Sequence, residues 1–336
     1  MPKPIAVLIS DVHYNIQTIE LADAAVNMAI DKANELNLHL IVAGDLHDTK
    51  ANMRAECVSA MLKTFARCKN RAIIMRGNHD SIHEKSESHA LDFITHYADV
   101  FNTPVYLNDL KLCLIPYQHD ARDFKHIIRD VRDNAATWPV IVHQGLTGSD
   151  GGHYFKDSSA VTPSDVAGLR VISGHYHNRQ SVELPDDGRW DFLGNPYTLG
   201  WGEASHQPKG FHVLLDDGSL QFIPSGLRKH VVYEVRWDEK LPYCGAHEDG
   251  DLVMIKLSGT REQLAKVDKT RLGKGMGVKG DYRLELVPMS VLGDAKIKEN
   301  AAELSREATL DKIIAELDNC SQEQKERLKL LWKAIV

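Results

Sequence analysis

A chain of 336 residues is too long for one minimal core and predicts two or three folded units. Its make-up, 43% hydrophobic and 26% charged, with no low-complexity tract and no apolar run of membrane-spanning length, excludes disordered and membrane-spanning classes. The formal net charge of −7 excludes a grip on nucleic acid through overall charge, so such a partner needs a local patch, bound metals or a companion subunit.

The first apolar run, residues 5–10, leads straight into Asp11-Val12-His13 and reads as a first strand rather than a signal peptide. Leu21, Ala24, Ala25, Met28 and Ala29 then share one helical face. Residues 38–43 form a second strand ending in Gly44-Asp45, and Val58, Met61, Leu62 and Phe65 mark a second helix. Residues 71–75 run into Gly77-Asn78-His79-Asp80, 140–142 into His143, and 171–173 into Gly174-His175-Tyr176-His177. Short Ile/Val/Leu runs bounded by polar residues and alternating with helices predict buried strands of an α/β fold. Ligands collect beyond the carboxyl ends of such strands, so five motifs between Asp11 and His177 can converge on one place.

From residue 191 to 223 short strands and turns take over, with Asp216-Asp217-Gly218 as a hairpin, and Pro224-Ser225-Gly226 reads as a boundary. The predicted domains are 1–227, 228–290 and 291–336. The middle one carries strands at 231–235, 252–257 and 282–287 and a helix near 260–267. A glycine-rich loop from Lys266 to Gly280 holds Lys266, Lys269, Arg271, Lys274 and Lys279. The tail reads as helical: Leu310, Ile313, Ile314 and Leu317, then Leu328, Leu331, Trp332 and Ile335, fall at i, i+3, i+4, i+7. Either this tail docks a partner or it folds back on its own core. Five scattered cysteines without a Cys-x-x-Cys pair suit a reducing cytoplasm and argue against a structural zinc site.

The five motifs hold hard oxygen and imidazole ligands and no thiolate. Asp11 and His13, like His175 and His177, lie two apart on extended chain and so share a side. Gly44 permits the sharp turn that brings in Asp45, assigned as a bridging carboxylate, while Asn78 offers a neutral oxygen and His143 completes the set. Such donors suit two divalent ions of the Mn, Fe or Zn type, with Mg a poorer match to so many imidazoles. Ions about 3.5–4 Å apart clamp phosphate oxygens and acidify water. His79, beside a ligand but not one itself, is the expected general acid, with Asp80 orienting its ring.

In this order the motifs resemble those of the calcineurin-like metallophosphoesterase superfamily, Asp-x-His, Gly-Asp, Gly-Asn-His, His and Gly-His-x-His, over about residues 5–180. The resemblance implies a four-layer α/β/β/α sandwich with a small α+β cap domain and a helical C-terminal tail. It implies Asp11, His13, Asp45 and His177 on one ion and Asp45, Asn78, His143 and His175 on the other. Gly194-Asn195-Pro196, followed by Glu203 and Lys209-Gly210-Phe211, is similar to a segment of the SbcD and Mre-eleven DNA repair nucleases, and the compact size to their bacteriophage members. That likeness implies a Mn²⁺-dependent exonuclease or endonuclease of DNA recombination and repair, cytoplasmic in a bacterial host. It further implies a homodimer, a coiled-coil ABC ATPase partner of SbcC type, and basic residues of the cap-like unit on DNA phosphates. A small-molecule or protein phosphoesterase is the alternative. His47 and Asp48 depart from the nuclease pattern, which leaves exonuclease against endonuclease preference open. Arg76 before Gly77 resembles the Ser/Thr phosphatases, but their Asp-Arg-Gly after Gly-Asp is missing.

Overall fold

Alternate residues of the first strand, β1 (Pro4–Ile9), enter different apolar layers: Val7 and Ile9 face one, Ala6 and Leu8 the other. A strand buried on both faces must be apolar throughout, which is why these runs lack a polar alternation. The computed structural model describes residues 2–49, 52–82, 89–151, 160–205, 208–237, 247–248 and 250–289.

After β1 come α1 (Ile19–Leu36), β2 (His39–Ala43), α2 (Ala55–Phe65), β3 (Ala72–Met75), β4 (Ala98–Phe101), β5 (Val105–Leu107) and β6 (Leu112–Ile115). Next follow α3 (Ala121–Ala135), β7 (Val140–Val142), β8 (Arg170–Ser173), β9 (Gln180–Glu183), β10 (Arg189–Phe192), β11 (Gly210–Leu215) and β12 (Leu220–Pro224). One six-stranded sheet has the order β12-β11-β1-β2-β3-β4, the other β5-β6-β7-β8-β10-β9. Strands β1 to β4 are parallel to one another, as are β6, β7, β8 and β10; β11 pairs antiparallel with both β1 and β12, and the edge strands β5 and β9 pair antiparallel with β6 and β10.

The sheets meet through Leu8, Ile41 and Ile73 on one side and Leu114, Ile141 and Ile172 on the other. The outer face of the first is covered by α1 and α2 through Val26, Ile30 and Met61, that of the second by α3 through Phe124, Ile128 and Val131. The fold is thus the expected α/β/β/α sandwich, with few helices. Asn37 ends α1 in the left-handed region (φ 54°), its N–H bonded to the Asn34 carbonyl, and Asp120 caps α3 by accepting the Arg122 N–H at 2.8 Å.

The chain divides into two compact units. One gathers residues 1–233, 243–254 and 276–283; the other draws on segments within 234–242, 255–275 and from 284 onward. Strands β13 (His230–Arg236), β14 (Leu252–Gly259) and β15 (Tyr282–Pro288) form a three-stranded sheet in that order. Thr260 and Gln263 form a capping box at the start of the single-turn α4 (Arg261–Leu264).

The glycine-rich loop expected after it is a helix, α5 (Lys269–Met276). Asp268 caps it, its carboxylate accepting the Arg271 N–H at 3.0 Å, and Met276 is fully buried. A cap and a buried terminal apolar residue outweigh the roughly 1 kcal/mol that each internal glycine costs. Lys269, Arg271 and Lys274 lie on α5, Lys266 precedes it and Lys279 follows it; all five are exposed. The predicted helical tail, 291–336, lies outside the described residues, and no described helix is long and apolar enough to cross a membrane.

Candidate metal centre

Beyond their strands, the loops after β1 and β2 stay hydrogen-bonded. Asp11 N–H donates to the Gly44 carbonyl (3.1 Å), His13 N–H to Asp45 (3.1 Å) and Tyr14 N–H to Leu46 (2.9 Å). Asp11, His13, Asp45 and His175 all have positive φ (53°, 50°, 51° and 80°), a strained state that persists where surroundings enforce it and that gathers at functional sites. Here the strain turns their side chains inward. Glycine is required alongside: a Cβ on Gly44 would strike the His143 ring, and one on Gly77 would strike Asp45.

The second sheet brings the other half. His143, after β7, is fully buried, and its Nδ1–H donates to the Ala43 carbonyl at 2.8 Å, which leaves Nε2 for the centre. That Nε2 lies 3.0 Å from Asn78 Oδ1 and 3.2 Å from Asp45 Oδ2, while His175 Nδ1 is 2.9 Å from the same Asn78 oxygen. Asp45 Oδ2 is also 3.8 Å from His13 Nε2, so one carboxylate oxygen stands between the two halves. His13 Nε2 meets His177 Nε2 at 3.1 Å, and His177 Nε2 lies 3.8 Å from Asp11 Oδ1. All seven residues read as ligands from sequence therefore come together, from five strand ends in two sheets.

The donor set fits two divalent cations. Two imidazole nitrogens point at one another and, among the described residues, buried His13 Nδ1 has no well-directed hydrogen bond and buried Asp11 and Asp45 have no lysine or arginine paired to them. Ligand atoms of Asp11, His13 and His177, and of Asp11, Asp45 and His143, lie within 4.8 Å of one another. Burial opposes the charge of Asp45, but His143 and His13 overcome it and hold this carboxyl well below the usual range. Burial likewise opposes the charge on His143, yet Asp45 pushes its pKa up to about 9. Asp45, Asn78, His143 and His175 would hold one ion, and Asp11, His13, His177 and Asp45 the other. Bound there, such ions neutralise charge on phosphate oxygens and acidify water.

His79 is half-buried, its N–H donating to Asp45 Oδ1 at 2.8 Å and its ring edge-on to His13, centroids 4.8 Å apart. Asp80 does not orient that ring. It is fully buried, its two oxygens accepting the N–H groups of His47 (3.0 Å) and Gly77 (2.8 Å), so it fixes the loops around the site instead. The ring is held by the Asp48 carbonyl, 2.6 Å from His79 Nδ1, while the Asp48 carboxylate lies 3.3 Å from His13 Nδ1. Arg76 is buried and bonded to Ser81 Oγ (2.5 Å) and the Tyr117 carbonyl (2.8 Å), which makes it a brace between loops.

Sequence reading missed a second brace, although its residues fall in the segment singled out after Gly194. Glu203 Oε1 is 2.7 Å from His177 Nδ1, and its Oε2 accepts from Asn195 Nδ2 (2.9 Å) and the Leu199 N–H (3.0 Å). Lys209 Nζ reaches Asn195 Oδ1, the His177 carbonyl (2.8 Å) and Glu203 (3.5 Å). Burial opposes the charge of Glu203, yet His177 and Lys209 bring its pKa down to about 2. A carboxylate on Nδ1 fixes the tautomer that turns Nε2 toward the centre. The detectable signal was a lone acid and a lone lysine between glycines at a strand approach.

Two sheets whose strand ends gather carboxylates, imidazoles and an amide around a shared aspartate oxygen define a metal-dependent hydrolase. The family described as calcineurin-like phosphoesterase matches residues 6–179, about half the chain, and the chain belongs to it. No curated protein matches. Among solved structures, a novel archaeal phosphodiesterase aligns at 17% identity and TM-score 0.36, covering 65% of this chain and 98% of its own. A dimetal phosphatase from Danio rerio aligns at 11% identity and TM-score 0.40, covering 63% and 93%.

Proposed function

We propose that this phosphoesterase is a DNA nuclease subunit that hydrolyses phosphodiester bonds with two divalent ions, Mn²⁺ the best match. It acts as a homodimer with a coiled-coil ATPase of SbcC type in recombination, repair or end processing. The observation that carries this reading is the Asn195–Glu203–Lys209 brace on His177, because these residues belong to the segment whose pattern is similar to SbcD-type nucleases. The exposed cations Lys266, Lys269, Arg271, Lys274 and Lys279 support it as phosphate contacts on an otherwise acidic chain. In this scheme the imidazole of His79 hands a proton to the leaving oxygen while the Asp48 carbonyl holds its other nitrogen.

The test is cleavage of end-labelled single- and double-stranded DNA with Mn²⁺, beside an aryl phosphodiester. Replacing His79 with alanine should slow DNA cleavage roughly 10²–10⁴-fold with bound metal unchanged. Brisk turnover of the aryl diester with DNA untouched, even after the ATPase is added, would sink the nuclease reading in favour of a small-molecule phosphoesterase.

A further inference from the structure

The layer between the sheets changes character toward one edge. Around β1, β2, β7 and β8 it is apolar, with Leu8, Ile41, Ile141 and Ile172. Trp190 and Phe192 of β10 point into the outer core, so Arg189 and Asp191, which alternate with them, point the other way. There, with Arg170, Arg179 and Ser181, and with His212 and Phe222 of β11 and β12, they line a cavity of about 320 Å³.

Its charges do not balance. Asp191, itself buried, takes Arg170 Nη2 at 2.6 Å, Arg189 Nε at 3.1 Å and the Ser181 hydroxyl. Arg170 spends its other donors on the carbonyls of Gly218 (2.7 Å) and Val171 (2.9 Å) and is a fixed part of the wall. Arg179 is different: its guanidinium lies 4.3 Å from the centre of the Phe222 ring and, among the described residues, pairs with no carboxylate. Arg170 and Arg189 thus share one buried carboxylate, and Arg179 has none among the described residues. Asp217 stands exposed at the rim with an oxygen engaged by Ser219, and exposed Glu183 lies 3.6 Å from Arg189. His212, 3% exposed, also lines the cavity, and its buried Nδ1 has no hydrogen-bond partner among the described residues.

We infer that this cavity is a binding site, separate from the metal centre, for a small anion carrying a phosphate group, held by Arg179 with the His212 ring beside it. Three guanidiniums against Asp191 and Asp217 leave the lining net positive, which matches an anion; the Arg179 fork matches phosphate oxygens, and the volume suits a small ligand. Nothing in phosphoester hydrolysis at the metal centre uses these residues.

The probe is inorganic phosphate, titrated into the full chain with Mg²⁺ present while the ring ¹⁵N signals of His212 are followed, identified with His212→Asn. A saturable shift is expected. It should survive in His143→Ala, which disrupts the metal centre, and should need at least about tenfold more phosphate in Arg179→Met. Arg179→Lys, which keeps the charge and loses the fork, replaces that variant if it melts early, with the same weakening expected. Signals of His212 that stay put to about 20 mM phosphate, or that move equally in a folded Arg179 variant, would overturn the assignment.

Discussion

Asp45 and Asp191 are both buried aspartates of the same sandwich, yet their partners differ in one decisive property. Asp45 is surrounded by imidazoles, His143 at 3.2 Å and His13 at 3.8 Å, which can give up their protons. Asp191 is held by guanidiniums, Arg170 at 2.6 Å and Arg189 at 3.1 Å, which cannot. A carboxylate among imidazoles can exchange protons for metal ions. One among arginines is permanently neutralised, and its geometry serves the sheet edge or a bound anion.

Substitution tests this contrast most strongly at the centre. Asp45→Asn should bring phosphodiester hydrolysis to background, because among the described residues no other carboxylate stands between both halves of the site. Yet its cost to metal-free stability should be only about 1 kcal/mol in urea unfolding with chelator above about pH 9, where His143, whose pKa Asp45 pushes up to about 9, has already lost its proton. Asp191→Asn should do the reverse. It strands a buried guanidinium and should cost about 3 kcal/mol, with metal-supported activity retained in the folded fraction. Equal stability losses in the two variants would erase the distinction between them.

A smaller effect is expected one bond away from the ligands. Glu203→Gln keeps the size and the contact with Asn195 but weakens the hold on His177 Nδ1. Metal affinity should fall roughly 10–100-fold by competition with a chelating dye, measured below the lowered Tm expected when buried Lys209 loses its carboxylate. Unchanged affinity would reduce Glu203 to a packing role.

Much of this was legible beforehand, for a physical reason. The ligands sit at the ends of apolar strands, so local pattern alone marks Asp11, Asp45, Asn78, His143 and His175 as polar groups in expensive places. The shared sandwich fold follows from the same runs. What stayed hidden depends on tertiary contact. Asp80 follows His79 in sequence, but its carboxylate turns to the His47 and Gly77 N–H groups, and the ring is held by a carbonyl from another loop. Glu203 finds His177 across 26 residues. Composition misled at α5, where Gly273 and Gly275 suggested a loop and the Asp268 cap went unread.

The gentlest way to probe the arginine side is pH, through His212. Burial, with the nearby Arg179 charge, lowers its pKa from an ordinary 6.5 to about 4, against a smaller opposing pull from Asp191. In the folded chain it therefore stays neutral down to about pH 4, whereas the unfolded chain protonates it near 6.5. Between those values the unfolded state binds more protons, so His212 contributes stability that is present above pH 6.5 and is lost as pH falls toward 4. From about pH 7 to about pH 5.5 that loss is about 1 kcal/mol, read by urea unfolding in phosphate-free buffer. His212→Leu should flatten this acid limb relative to the parent chain. Metal ligands are common to both proteins, so their titration cancels in the difference, and an unaltered slope would show that this imidazole is not held neutral. Added phosphate should shrink the parent's slope, because an anion beside the ring favours its charged form and raises the folded-state pKa toward the unfolded value.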